Sequence, residues 1–206
     1  MDNASRSERT RNAVLQAALT IIARDGANRL TLDAIARESG ISKGGLMHQF
    51  RTKEAVIRAL LEHQIAYFED FYRGYLAEHA SSQSHPQLAA QIATLREFLA
   101  RPHSVDFAII GAAVHEPSLL SKNQKIDAER LEAIKAEATD PDLATLRWVA
   151  ARGLALTSLL GICSVSPEER DRLFDRLADD SQWNALSEAG RPQGATSTAA
   201  REDKDR

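Results

Sequence analysis

Residues 31–50, Thr-Leu-Asp-Ala-Ile-Ala-Arg-Glu-Ser-Gly-Ile-Ser-Lys-Gly-Gly-Leu-Met-His-Gln-Phe, decide the reading of this chain. They describe two short helices joined by a tight turn. Thr31 is an N-cap residue, and Leu32, Ile35 and Ala36 form one apolar face at helical spacing. Gly40 tolerates positive φ where the first helix must stop. Ile41 packs the turn inward, and Ser42 caps a second helix whose buried side is Leu46 and Phe50. Lys43, Gly44, Gly45, Met47, His48 and Gln49 are left on the side away from the core. A short helix with an apolar back and a polar, glycine-thinned front suits close approach to the DNA major groove. The same pattern also fits an ordinary helical hairpin, so its surroundings carry the decision.

Before the motif lies an amphipathic helix, Ser7 to Asp25, with Val14, Leu15, Ala18, Ile21 and Ile22 on one side. After it, Arg51-Thr-Lys-Glu54 caps and opens another long helix. Three helices near the N-terminus, with the motif second and third, make a compact DNA-reading module.

Residues from about Arg9 to Leu61 resemble the N-terminal domain of the TetR family of bacterial transcriptional regulators. The features that carry the resemblance are Ala17-Ala18-Leu19 followed by Gly26, Thr31-Leu-Asp-Ala-Ile-Ala, Gly40-Ile-Ser-Lys-Gly, and Phe50-Arg-Thr-Lys-Glu-Ala. The remainder of the chain fits the family in length and helical character. Two positions depart from the commonest family pattern: Gly45 stands where Thr is frequent, and Met47 where Tyr is frequent. Base preference is therefore not transferable from relatives.

The resemblance implies a phosphate contact for Lys53, at the start of the fourth helix, and Thr31 caps a helix N-terminus that can face a phosphate. Ser42 and Lys43 open the recognition helix, with Lys43 in reach of phosphate or guanine, and Gly44, Gly45 and Met47 complete its front. His48 and Gln49 fall where family members place groove-facing residues, and glutamine can bond adenine bidentately. Arg6, Arg9 and Arg11 read as a loose basic arm for the backbone or minor groove.

At 206 residues and 43% hydrophobic, the chain can bury a substantial core. Ten glycines and six prolines amid abundant Ala, Leu, Glu and Arg predict an all-α protein. The expected organisation is a three-helix DNA-binding domain over 1–54, a larger helical effector-binding and dimerisation domain over 55–183, and a disordered tail over 184–206, rich in Ser, Thr, Ala, Gly and charge. Residues 1–54 hold nine Lys/Arg against six Asp/Glu, or +3, while 55–206 hold seventeen against twenty-three, or −6. A mildly basic head on an acidic body suits site-specific DNA binding.

Cys163 is the single cysteine, which excludes an intrachain disulfide, and its apolar setting reads as burial. The first dozen residues are polar and charged, unlike a signal peptide, and no apolar run reaches the ~20 residues of a membrane span. The expectation is a cytoplasmic protein with no membrane partner.

Beyond Lys53 the pattern predicts helices over Thr52–His79, Gln87–Ala100, Ser104–His115 and Ser118–Ala138. Asp140-Pro141 starts a helix that is apolar nearly all round, and Ser166-Pro-Glu-Glu169 is a capping box for a last one. Ala150, Gly153, Thr157 and Gly161 would permit close approach of another helix. The resemblance implies that the final pair, about 141–163 and 167–180, joins its two-fold mate in a four-helix bundle. A dimer also doubles the number of base pairs read.

A family-type pocket would draw on Tyr67, Phe71, Tyr75, Phe107, Ile110, Trp148 and Arg152. Arg152 within an apolar helix calls for an anionic partner, an internal carboxylate before an acidic ligand. His103 and His115 are too far apart to assert a metal pair, and no metal or cofactor is expected. No nucleophile–base pair, paired catalytic carboxylates or phosphate loop is visible, and Gly44-Gly45 is too short for the last, so no enzyme is expected. The function expected is a dimeric one-component regulator, a repressor released from a pseudo-palindromic double-stranded DNA operator by a small-molecule effector. The alternative is a helical adaptor that uses the hairpin for a protein partner and shows no salt-steep DNA binding.

Overall fold

The computed structural model describes residues 3–183, so the tail expected over 184–206 lies outside the described residues. The chain folds as α1 (Asn3–Asp25), α2 (Leu32–Ser39), α3 (Lys43–Gln49), α4 (Lys53–His79), α5 (Pro86–Ala100), α6 (Ser104–His115), α7 (Ser121–Glu137), α8 (Pro141–Leu159) and α9 (Pro167–Ala178), with short 3₁₀ turns between some of them. There is no strand among the described residues. The helix expected from Ser118 is split, with a 3₁₀ turn over Pro117–Leu120 before α7.

Local chemistry sets most boundaries. Thr31 Oγ1, Ser42 Oγ and Thr52 Oγ1 accept the backbone N–H of Ala34, Gly45 and Ala55 at 3.1, 3.2 and 3.1 Å. Each such cap contributes about 1 kcal/mol. Asp140 and Ser166 do the same for Leu143 and Glu169 at 3.0 and 3.2 Å, each followed by an N1 proline. Gly40 adopts φ 68° after α2. Gly161, also at φ 68°, ends α8: its N–H reaches Ser158 O at 3.1 Å, and that of Ile162 reaches Thr157 O at 3.0 Å. This is a Schellman stop, so the helix end by itself requires Gly161.

Helix α5 is capped from elsewhere. His85 supplies no side-chain cap, and the Glu137 carboxylate at the end of α7 accepts from Gln87 N–H and Leu88 N–H at 2.9 and 3.0 Å. Burial pushes the Glu137 carboxyl above its ordinary range, against the pull of those two amides. Glu137→Ala leaves both amides without that partner and is expected to cost about 1–3 kcal/mol in a denaturant titration. An unchanged midpoint would show that water replaces the carboxylate at no loss.

Two apolar cores result. The first joins Val14, Ile21 and Ile22 of α1, Ile35 of α2, Leu46 of α3 and Val56 through Ile65 of α4, together with Ala108 and Ile109 of α6. The second joins Leu88 and Ile92 of α5, Ile134 of α7, Trp148 of α8 and Phe174 of α9. Helix α4, 27 residues or roughly 40 Å long, packs on α1 at one end and on α5 along the other.

The second core contains a buried cation that the sequence reading did not single out. Arg147, 4% exposed, donates from Nε and Nη2 to Leu177 O at 2.9 and 2.7 Å, and from Nη2 to Asp180 Oδ1 at 2.8 Å. His85 Nδ1 lies 2.8 Å from the same carboxylate oxygen. Arg152, the guanidinium singled out from sequence, is 40% exposed at its side chain and pairs with Asp127 at 2.8 Å. Its partner is the internal carboxylate. A helix apolar nearly all round does not show which of its two arginines faces inward.

Candidate nucleic-acid interface and effector cavity

The back of the α2–α3 pair is closed by Ile35, Leu46 and Phe50, all buried. Ser42, Lys43, Gly44, Met47 and His48 are exposed on the outer face of α3. Gly45 is half-buried, and a Cβ there would lie 3.2 Å from Ile41 Cγ2 and 3.3 Å from Ser42 Oγ. The glycine therefore lets the turn residue and the cap close down on the helix, which gives a local reason for its departure from the family's Thr. Lys43 Nζ lies 2.9 Å from Asp33 Oδ1, with both side chains well exposed, and this holds the Asp33 carboxyl below its ordinary range. An exposed pair of this kind contributes little, so Lys43 can exchange Asp33 for a phosphate. Thr31 is exposed at the start of α2 and uses its hydroxyl as a cap.

Two of the residues named from sequence bond groups in α1 or in the turn just after it. Gln49 Nε2 donates to Ser7 Oγ at 2.7 Å, and Lys53 Nζ donates to Ala27 O at 3.2 Å, pinning the turn after α1 to the start of α4. Arg6, Arg9 and Arg11 are part of α1 rather than a loose arm, because α1 begins at Asn3. Residues 3–13 contain neither proline nor glycine to interrupt the helix. Arg9 Nε donates to Ser5 O at 3.2 Å, and the Arg11 guanidinium sits 5.1 Å from the Phe50 ring centre, 3.4 Å from Glu62.

A cavity of about 540 Å³ opens between α4, α5, α6, α7 and α8. Its walls are largely apolar, including Phe68, Leu95, Phe98 and Ile109, and its polar groups include Gln64, Glu69, Tyr72, Asp106, Asp127 and Arg152. Of the pocket residues named from sequence, Ile110 and Arg152 line it. Tyr67 lies outside, its hydroxyl bonded to Glu97 at 2.6 Å and its ring 4.0 Å beneath the Arg101 guanidinium. Phe71 and Tyr75 face a different cleft, shared with α5 and α9. Phe107 is 49% exposed, and Trp148 is buried in the second core. One position farther along α4, Phe68 and Tyr72 reach the cavity. Aromatic residues surround this part of α4, so their spacing alone carries no phase. Tyr72 is held from both sides: its hydroxyl bonds Gln87, and Arg130, paired with Glu69 at 2.7 Å, lies over its ring. Burial raises its pKa.

The described residues, all-helical with a helix-turn-helix head whose fourth helix continues into a helical body around a cavity, have the architecture of a DNA-binding regulator. The sequence matches the family described as bacterial regulatory proteins, tetR family, over residues 14–60, and the tetracyclin repressor-like C-terminal domain over residues 54–182. The chain belongs to the TetR family of transcriptional regulators, which are not enzymes. It is 36% identical over 58 residues to the HTH-type transcriptional regulator SrpR of Pseudomonas putida, a match spanning 28% of this chain and 27% of that protein. A transcriptional regulator of Saccharomonospora viridis in complex with choline superposes with a TM-score of 0.63 at 18% identity, over 86% of this chain and 96% of that one. The multidrug binding protein EbrR complexed with ethidium superposes with a TM-score of 0.57 at 23% identity, over 82% and 97%. These two likenesses show the fold. No helix among the described residues is long and apolar enough to cross a membrane.

Proposed function

We propose that this regulator is a dimeric repressor that occupies a pseudo-palindromic operator in the cytoplasm and leaves it when a small molecule fills the 540 Å³ cavity. The head over 1–54 reads DNA, and the body over 55–183 holds the effector and the partner subunit. One observation carries the reading: Leu61, Ile65 and Ile109 belong both to the cavity wall and to the apolar core that seats α1. A ligand that displaces those side chains acts directly on the packing of the DNA-reading head. Such a ligand shifts the population only by its preference for one head position over the other. Small molecules bound in the two similar structures, ethidium and choline, support a ligand-responsive body.

The dimer face is supported by α8. Leu146, Val149, Leu156 and Leu160 are exposed, and with Gly153 they recur at alternating spacings of three and four, the seam of a helix packed on its mate; Val149, Gly153 and Leu156 also border the cavity, so the mate would close part of its mouth. The outer face of α9 is different. Glu168, Glu169, Asp171, Arg172, Asp175 and Arg176 are exposed there, so α9 suits a polar rim rather than an equal share of the apolar contact.

A nuclease footprint across DNA flanking the gene tests the reading. The expected result is a protected pseudo-palindrome whose affinity falls steeply with salt. Lys43→Ala is expected to weaken binding about tenfold on any operator and to reduce the salt slope by about 1. Association with DNA that ignores salt, or no protection in any flanking segment, would sink the proposal.

A further inference from the structure

The cavity's charges point to the class of effector. We propose that it selects organic cations and that Asp106 is the charge that anchors them, an inference that rests on the effector-cavity reading above. Three carboxylates line the cavity, Glu69, Asp106 and Asp127, against one basic side chain among the described lining residues, Arg152. Two of the three are already neutralised. Arg130 pairs with Glu69 at 2.7 Å, and Arg152 pairs with Asp127 at 2.8 Å.

Asp106 is left without a lysine or arginine. It is 8% exposed, and its Oδ1 accepts from Gln64 Nε2 at 2.5 Å while Oδ2 lies 3.1 Å from His103 Nδ1. An amide donates a hydrogen bond without supplying a charge, and an imidazole supplies one only when protonated. A carboxylate oxygen has room for a second donor, so both Asp106 oxygens can still receive an ammonium or iminium group. A buried carboxylate without a matching cation is a costly arrangement that a cationic guest relieves.

The surrounding walls fit the rest of such a molecule. Phe68 and Phe98 stand edge to face with centroids 5.9 Å apart, and Phe98 is 5.1 Å from His103, which places aromatic surface close to Asp106. Cations are attracted to such ring faces. The Tyr72 ring is already covered by Arg130. An anion of the same shape would meet a carboxylate surplus and a guanidinium already paired. Asp106 also offers a route to release, because a cation that captures Oδ1 competes with Gln64 and so loosens a tie between α6 and α4 beside Ile65 and Ile109.

Fluorescence polarisation of two xanthene dyes with the DNA-free full chain separates the possibilities. Unmethylated rosamine is a monocation whose amino and iminium groups carry N–H donors, and fluorescein is its anionic counterpart. At about pH 8, above the ordinary imidazole range, the rosamine is expected to bind at least about tenfold more tightly than fluorescein. Asp106→Asn, with its helical content and melting checked, is expected to weaken rosamine about tenfold and leave fluorescein unchanged or tighter. Equal or preferred binding of fluorescein by the wild-type chain overturns the cation class while leaving the effector cavity standing. Rosamine binding that ignores the substitution overturns the role of Asp106. Binding of neither dye by protein that still protects its operator counts against both the cation class and the cavity.

Discussion

Arg147→Ala is expected to remove about 3–5 kcal/mol of stability, the loss typical of breaking a buried ion pair by deleting one partner. Arg147 is 4% exposed and satisfies two groups at once, the Leu177 carbonyl and the Asp180 carboxylate. It thereby fastens α8 to the end of α9, and Asp180 passes the connection on to His85 at the start of α5. Removing the guanidinium leaves the Leu177 carbonyl without its side-chain donor and the Asp180 carboxylate with His85 but no arginine. Chemical denaturation of the full chain measures the loss. A change below about 1 kcal/mol would mean that water enters and replaces the guanidinium. The pH dependence gives a second readout. Burial alone would raise the Asp180 pKa, but hydrogen bonds from His85 and Arg147 outweigh it and hold the carboxyl below its ordinary value of 3.8. Its contribution is therefore complete above the ordinary carboxylate range and lost as pH falls through the depressed folded value. The wild-type chain should lose stability more steeply on acidification than Arg147→Ala does.

The second large effect concerns assembly. Leu146→Asp combined with Leu160→Asp is expected to convert the proposed dimer to a monomer and to weaken operator binding by about a hundredfold or more, because the second half-site is no longer engaged intramolecularly. Leu146 is 66% and Leu160 43% exposed in the single chain, so the substitutions leave both cores intact. Neither residue lines the cavity. Light scattering reads the mass, and a mobility shift reads the affinity. A variant that stays dimeric would show that α8 is not the seam, and would direct attention to the exposed apolar residues Phe107, Ile110 and Val114 on α6.

The head was legible because its signals are local. Thr31, Ser42 and Thr52 each bond an amide three residues on, and Gly40 supplies its φ without help from any other helix. Leu46 and Phe50 occupy the buried side of their short helix because there is only one side to bury. Chemistry confined to one turn of helix survives in the order of residues. The start of α1 is less legible for the complementary reason: a polar helical stretch has no apolar period to mark it, so Arg6, Arg9 and Arg11 read as a loose arm.

The cavity was less legible because it is made where five helices meet. The spacing of Tyr67, Phe71 and Tyr75 is as regular as that of Phe68 and Tyr72, and only the packing of α4 on α5 and α6 decides which set faces inward. Arg147 and Arg152 are five residues apart on one apolar helix. Their fates differ because the end of α9 comes back over one of them, while Asp127 of α7 lies beside the other. The Asp106 environment depends likewise on Gln64, 42 residues distant in the chain. The capped starts of α2, α3, α4, α8 and α9, the α2–α3 head and the all-α class were thus determined by the sequence alone, since each rests on contacts within a few residues. The direction of each helix face, the pairing of the buried charges and the chemistry of the cavity were decided only by tertiary packing, which sets the azimuth of helices whose own pattern leaves it open.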